Sequence, residues 1–310
     1  MTPRANDDPA VGRTVLRELP GSIRWSRFLL ERTPPETLSW HYENALLLLA
    51  ADRAGRVHGN PELREAARRF VDARVGDGGR IEGYREDDYN LDQVNPGRLL
   101  LLHPESGTPR LRAASDRLLG QLSRQPRCLC GGYWHKKVYP DQMWLDGLYM
   151  AQPFAAACGR RFDRPELFDE AVSQFRIAWE RTRDGRTGLL YHAWDESRRQ
   201  LWSRPDTGCS PNFWGRAIGW FAMALVDTLD YLPGDHEGRG ILTGFLRGLA
   251  TSVLKYQDPD SGLWHQVLDQ GAREGNYPET SVSAMFAFAF AKAVRKGLLA
   301  GREARDAAES

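Results

Sequence analysis

The chain has 310 residues, 41% of them hydrophobic, enough to bury a sizeable core as one large domain or two smaller ones. Lys and Arg number 42 against 41 Asp and Glu, a formal charge of +1, so no overall field draws the protein to nucleic acid or an anionic membrane, and local cations must read any anionic substrate. The opening MTPRANDDPAVGRTV has no apolar core of the signal-peptide kind and no later run approaches the roughly 20 apolar residues of a membrane span, so a cytoplasmic location is expected.

Helical periodicity dominates the chain, and no run alternates convincingly as a strand would. Residues 1–36 read as an N-terminal segment, residues 37–300 as one helical domain, and 301–310 as a polar tail. Apolar spacing predicts a first helix over 37–54, followed by 61–75, 94–103, 109–124, 144–158, 165–182, 214–231, 238–256 and 280–297, about nine in all. Those starting near 37, 144, 214 and 280 are rich in Ala, Leu, Met and aromatics almost all round, whereas those near 61, 109 and 165 carry Arg and Glu on one face. Inner and outer helices produce that alternation.

Short glycine-bearing segments join the helices: VGDGGRIEGY, TRDGRTGLLYHAW and DPDSGLWHQV. The last two share a D-x-x-(S/T)-G-L pattern, which reads as an internal repeat of helical hairpins. Hairpins repeated around an axis make an α/α barrel, with the inner helix ends and these loops at one cleft. The four cysteines, Cys128, Cys130, Cys158 and Cys209, lack zinc-ligand spacing, and C-x-C is too close for a CxxC redox motif, so they read as reduced packing residues.

In YPDQMWLDGLYM a lone carboxylate, Asp146, sits among Trp144, Leu145, Leu148, Tyr149 and Met150. A carboxyl group in such company loses hydration, its charged form is disfavoured, and its pKa rises toward that of a working acid. The competing reading is an aspartate that caps its own helix. The ten Trp, ten Tyr and twelve Phe often stand beside polar residues, as with Trp134 by His135, Trp194 by Asp195, Trp214 near Arg216 and Trp264 by His265. Sugars, with flat C–H faces and a hydroxyl rim, suit such pairs; ordinary core aromatics with polar tips explain them equally.

QMWLDGLYM, LYHAWDES, NFWGRAIGWFAMALVDTL and GNYPETSVSAMFAFAFAKAVRKG, in this order and spacing, resemble the unsaturated rhamnogalacturonyl hydrolases of glycoside hydrolase family 105, cousins of the family 88 unsaturated glucuronyl hydrolases. The resemblance runs from about Leu38 to Leu299. It implies an all-α fold, the (α/α)6 six-hairpin barrel, here expected to lack its last C-terminal helices. An uncovered inner helix at 280–297 would then be a surface for self-association. It also implies a reaction: hydration of the vinyl ether in the 4,5-unsaturated uronic acid that lyases leave on an oligosaccharide, with no cofactor and no metal.

By the same resemblance Asp146 is the general acid and Asp92, in YNLDQVNPG, the second cleft aspartate, which orients water, takes its proton or holds a sugar hydroxyl. Asp92 reads equally as the cap of a helix starting near Asn95. Arg216 offers a bidentate fork to the uronate between Trp214 and Trp220 as walls. His135 and His192 match cleft positions that bond sugar hydroxyls, Lys136 adds positive potential, and Trp144 and Tyr42 complete the substrate set. Glu279 reads as a helix cap or a subsite residue. Two other classes share the pattern: a sugar 2-epimerase-like isomerase, which would use His135 and His192 as an acid/base pair, and a non-catalytic saccharide-binding relative.

Overall fold

A computed structural model describes residues 19–300, so the first half of the expected N-terminal segment and the whole polar tail lie outside the described residues. Contacts divide the chain into two compact units, one reaching to Tyr84 and including Pro96–Arg117, the other comprising Arg85–Asn95 and the chain from Leu118 onward.

The first unit holds α1 (Gly21–Arg32), α2 (Tyr42–Val57), α3 (Pro61–Arg74), α4 (Gly97–Leu102) and the start of α5 (Pro109–Arg124). Asn60 caps α3 by accepting the Leu63 N–H at 3.2 Å, and Pro61 follows at the first helical position, where its missing N–H costs nothing. Helix α1 is absent from the sequence expectation for a physical reason. Ile23 packs with Ala51, Ala54 and Leu63, yet Trp25, Phe28 and Leu29 are exposed, so no single apolar stripe marks the helix. Helix α2 starts later than predicted, because Pro35–Thr37 forms a 3-10 turn and Leu38 is extended. It buries one stripe, Ala45, Leu48, Ala51 and Ala54, rather than its whole circumference.

The second unit holds α6 (Leu145–Phe162), α7 (Glu166–Thr182), α8 (Gly215–Thr228), α9 (Gly238–Val253) and α10 (Thr280–Arg295). Helix α8 packs against both α6 and α10, while α7 lies on α6 and α9 lies on α7 and α8, so α6, α8 and α10 form the inner layer. Their sequences dictate this. Every residue of α8 is buried except Arg216, and from Leu145 to Gly159 every residue of α6 is buried except Asp146. A Cβ at Gly219 would stand 2.8 Å from the Met285 sulfur, so only glycine lets α8 approach α10 this closely.

The repeated loop motif is a repeated structure. Asp184 Oδ2 accepts from the Thr187 N–H and hydroxyl, and Asp258 Oδ1 accepts from the Ser261 N–H and hydroxyl. In both turns the glycine of G-L has positive φ, 74° at Gly188 and 69° at Gly262, and bridges pair Arg183 with Leu190 and Gln257 with Trp264. Each outer helix of this unit therefore ends in the same closed turn before the chain runs on to an inner helix.

Two short strands were not expected from the sequence: β1 (Gln142–Trp144) and β2 (Ala193–Asp195), antiparallel with Met143 opposite Trp194. At three residues each, with β2 buried throughout, they are too brief to show an alternation. All four cysteines are free thiols, three of them buried. The last inner helix buries one face, Val282, Met285, Phe286, Ala289 and Phe290, while on its opposite face Ala284 and Ala291 are exposed and Ala287 and Phe288 only half-buried, so an uncovered apolar strip of the expected kind is present among the described residues. No described helix is long and apolar enough to cross a membrane.

Candidate active site

The N-terminal ends of α6, α8 and α10 bring Asp146, Arg216 and Glu279 together. Strand β1 feeds directly into α6, and the Leu145 N–H donates to the His192 carbonyl at 3.0 Å, tying the start of α6 to the chain entering β2. Residues Trp144, Trp214 and Glu279 occupy the three N-cap positions, and none uses its side chain to cap the backbone.

Asp146 is in the first turn of α6. Its Oδ2 is buried and has no hydrogen-bond partner, and loss of hydration pushes its pKa up; the positive charge of His135 and its own backbone N–H pull the other way without overcoming burial. Asp92, carried by a 3-10 turn at Leu91–Gln93, behaves oppositely. Burial pushes it up, but His135 Nε2 at 3.4 Å and Lys136 Nζ at 2.6 Å outweigh burial and hold the carboxyl at about 2. Asp92 does not cap α4, whose N-cap is Pro96 with no side-chain bond. The site thus holds one carboxyl disposed to stay protonated and one that stays ionised.

His135 is buried, with its ring 5.8 Å from Trp144 and nearly parallel to it at 19°. Its backbone is fixed by the Gln142 carbonyl at 2.9 Å, and its Nδ1 is buried without a partner. His192 lies at 6.2 Å from Trp144 and 5.9 Å from Trp214, both edge to face. Burial lowers its pKa, so it is a neutral imidazole near pH 7, with Nδ1 only 3.4 Å from the Asn212 carbonyl.

Arg216 lies with its guanidinium carbon 4.4 Å from the Trp214 ring centre, and its Nη1 donates to Glu279 Oε1 at 2.7 Å. Trp220 lies deeper in α8, buried against Tyr149 at 4.9 Å. Tyr42 begins α2, in the first unit, with its ring 4.9 Å from His41.

Two aromatic residues near the site were not singled out from sequence. Trp202 stands edge to face with Trp144 at 6.4 Å and 6.4 Å from His192, and Tyr139 stacks on Trp144 at 5.5 Å. Tyr139 could have been noticed by its place in the aspartate motif, but Trp202 comes from the polar stretch SRRQLWSRPD, which carries no signal. Among the described residues no group of three or more His, Cys, Asp or Glu side chains converges as a metal site would.

The Glycosyl Hydrolase Family 88 profile matches residues 28–310. The chain belongs to that family. A solved family 105 glycoside hydrolase from C. acetobutylicum is 39% identical, covers 91% of this family 88 chain and 78% of its own, and superposes with a TM-score of 0.86. That likeness, with the helical content, assigns the six-hairpin helical-barrel fold. The unsaturated rhamnogalacturonyl hydrolase YesR of Bacillus subtilis is 29% identical over 88% of this chain and 78% of its own length. Protein Atu3128 of Agrobacterium fabrum is 47% identical over 158 residues, which is 51% of this chain and 66%, just under two thirds, of that relative.

Proposed function

We propose that this family 88 chain removes the 4,5-unsaturated uronic acid from the non-reducing end of lyase-generated oligosaccharides by adding water across its vinyl ether. The observation that carries this reading is the opposed pair of carboxyls: Asp146 with its pKa raised and one oxygen buried unpartnered, Asp92 held ionised by Lys136 and His135. Two carboxyls whose surroundings push them apart divide the acid and base work between them.

Asp146 gives its proton to C4, and the positive charge that develops at C5 is met by water. The proton of that water returns to Asp146 or passes to Asp92. The C5 hemiketal then opens to a ketone, and the hemiacetal left at C1 releases the neighbouring sugar with a proton on its oxygen. No bond to the protein forms, so the reaction needs no nucleophilic side chain. Arg216, the one residue of α8 that is not buried, meets the uronate carboxylate, while Trp144, Trp214, His192 and His135 line the sugar.

The leaving sugar in this reading is rhamnose from pectin rhamnogalacturonan I, supported by the likeness to YesR, and such a small substrate suits an enzyme acting in the cytoplasm. The test follows loss of the C4=C5 absorbance with purified protein and lyase-generated disaccharides from rhamnogalacturonan and from glycosaminoglycan. Loss with the first supports the reading, loss only with the second reassigns the leaving sugar, and loss with neither refutes the activity.

A further inference from the structure

Arg216 is clamped from two sides. The Trp214 ring lies under the guanidinium at 4.4 Å, and Nη1 donates to Oε1 of Glu279 at 2.7 Å. Glu279 comes from a different inner helix, so the contact fixes Arg216 across the α8–α10 junction. Its own main chain is anchored: the N–H donates to the Trp264 carbonyl at 2.8 Å, and its carbonyl accepts from the Ser283 hydroxyl at 2.9 Å. Glu279 as a whole is 5% exposed, its Oε1 also accepts from the Ser281 hydroxyl, and Oε2 is buried with no hydrogen-bond partner among the described residues.

A carboxylate removed from water with one oxygen unsatisfied is costly, and stability alone favours replacing such a pair with apolar packing. Its use here is geometric. An arginine loses much side-chain freedom when it grips a ligand, and one already held on a ring face and at one nitrogen loses less. Committing one edge of the fork to Glu279 also fixes which edge is left to meet a second carboxylate.

We propose that Glu279 is a positioning residue: it holds the guanidinium of Arg216 so that the remaining edge receives the carboxylate of the unsaturated uronate. The inference rests on the reading of Arg216 as the uronate-binding cation. The pair therefore acts as one unit in binding and takes little part in the proton transfers.

The experiment is a double-mutant cycle over Glu279→Gln, Arg216→Ala and their combination, read as kcat and KM from loss of the C4=C5 absorbance of an unsaturated disaccharide. In parallel, the Nε–H resonance of Arg216 is followed by NMR in the ligand-free parent and in Glu279→Gln, assigned by its loss in Arg216→Ala. Glu279→Gln is expected to raise KM about 10-fold with kcat within about 3-fold, the scale of one charge-assisted hydrogen bond. KM of the double variant should match that of Arg216→Ala within about twofold, because acting as a unit makes the effects non-additive. The Nε–H signal should shift or exchange faster in Glu279→Gln, because the guanidinium loses the bond that its Nη1 makes to Glu279. Multiplying KM effects, or an Arg216 signal unmoved by Glu279→Gln, would overturn the proposal. Should Glu279→Gln fail to fold, Glu279→Asp, which withdraws the carboxylate by one methylene, carries the same expectations. A parent with no turnover on any unsaturated oligosaccharide refutes the activity, and the Arg216 resonance still decides whether Glu279 holds the guanidinium.

Discussion

Lys136 Nζ stands 2.6 Å from Oδ2 of Asp92, a pairing that keeps a buried carboxylate charged beside a second carboxyl whose pKa burial raises. The proposed chemistry needs Asp92 ionised and Asp146 protonated. With Asp92 at about 2, the acid limb of kcat/KM lies below the range where most folded chains survive, and activity falls as pH rises through the raised pKa of Asp146. Lys136→Met removes the nearer of the two partners that hold Asp92 ionised, so that carboxyl moves toward its ordinary value and the acid limb climbs to measurable pH. A kcat/KM profile of the two proteins checks this, and an unmoved acid limb in the variant would mean that Lys136 does not set the charge of Asp92.

Asp146→Asn separates activity from stability. Losing the acid is expected to lower turnover by roughly 10²- to 10⁴-fold while substrate affinity stays within a few fold. A carboxyl whose folded pKa lies above its unfolded value, near the ordinary 3.8, withdraws stability as pH rises from that value through the folded one, and the loss is complete above it. Asparagine carries no such loss. Thermal unfolding should therefore give Asp146→Asn a higher Tm than the parent at pH 7, with the gap closing toward pH 3.8 and below. Equal Tm values across that range would mean that Asp146 is not under desolvation stress.

Gly147→Ala probes how closely His135 is packed. An added Cβ would stand 3.0 Å from Leu91 Cδ1 and 3.1 Å from His135 Nδ1, so both side chains must give way. Replacing a helical glycine gains about 1 kcal/mol, and overpacking costs about 1–3 kcal/mol, so the net stability change is small. The displaced imidazole is one of the two groups that keep Asp92 ionised, and activity should fall well beyond what the stability change explains. Comparison of Tm with kcat/KM tests this: parental kcat/KM would mean that His135 has room to adjust.

How much of this was legible in the sequence depended on range. The inner helices α6 and α8 were plain because they are apolar almost all round, and for the same reason a single aspartate or arginine in their first turns stood out. Asp92 stayed open between catalysis and capping, because its two partners come from a distant stretch of chain, and only the fold sets them against it. Trp202 left no trace, since its approach to Trp144 is arranged by a loop turn in which Asp195 accepts from Ser197 and Gln200. Glu279 stayed open between a cap and a subsite residue because it precedes a helix, and its carboxylate goes to Arg216 instead of the backbone. Local periodicity carries helices well; pairings across the chain are invisible to it.

Lys292, near the C-terminal end of α10, is 2% exposed and lies 2.5 Å from Asp227 Oδ1 and 2.5 Å from Asp230 Oδ2, joining the far end of α10 to that of α8. Asp227 is itself buried. Lys292→Met would leave that carboxylate without its cation, and breaking one side of a buried pair costs about 3–5 kcal/mol. Glu279 and Arg216 start the same two helices at the other end, so the damage falls on stability rather than on the chemistry. The variant should unfold at markedly lower denaturant concentration, yet the fraction that is folded should retain parental kcat. Adding Asp227→Asn to Lys292→Met removes the buried charge that has lost its lysine and should recover part of the loss, since the cost lies in burying that carboxylate more than in the missing attraction. Denaturant titration of the three variants decides it: no recovery in the double variant would show that the lysine stem's packing, and not its charge, holds the two helix ends together.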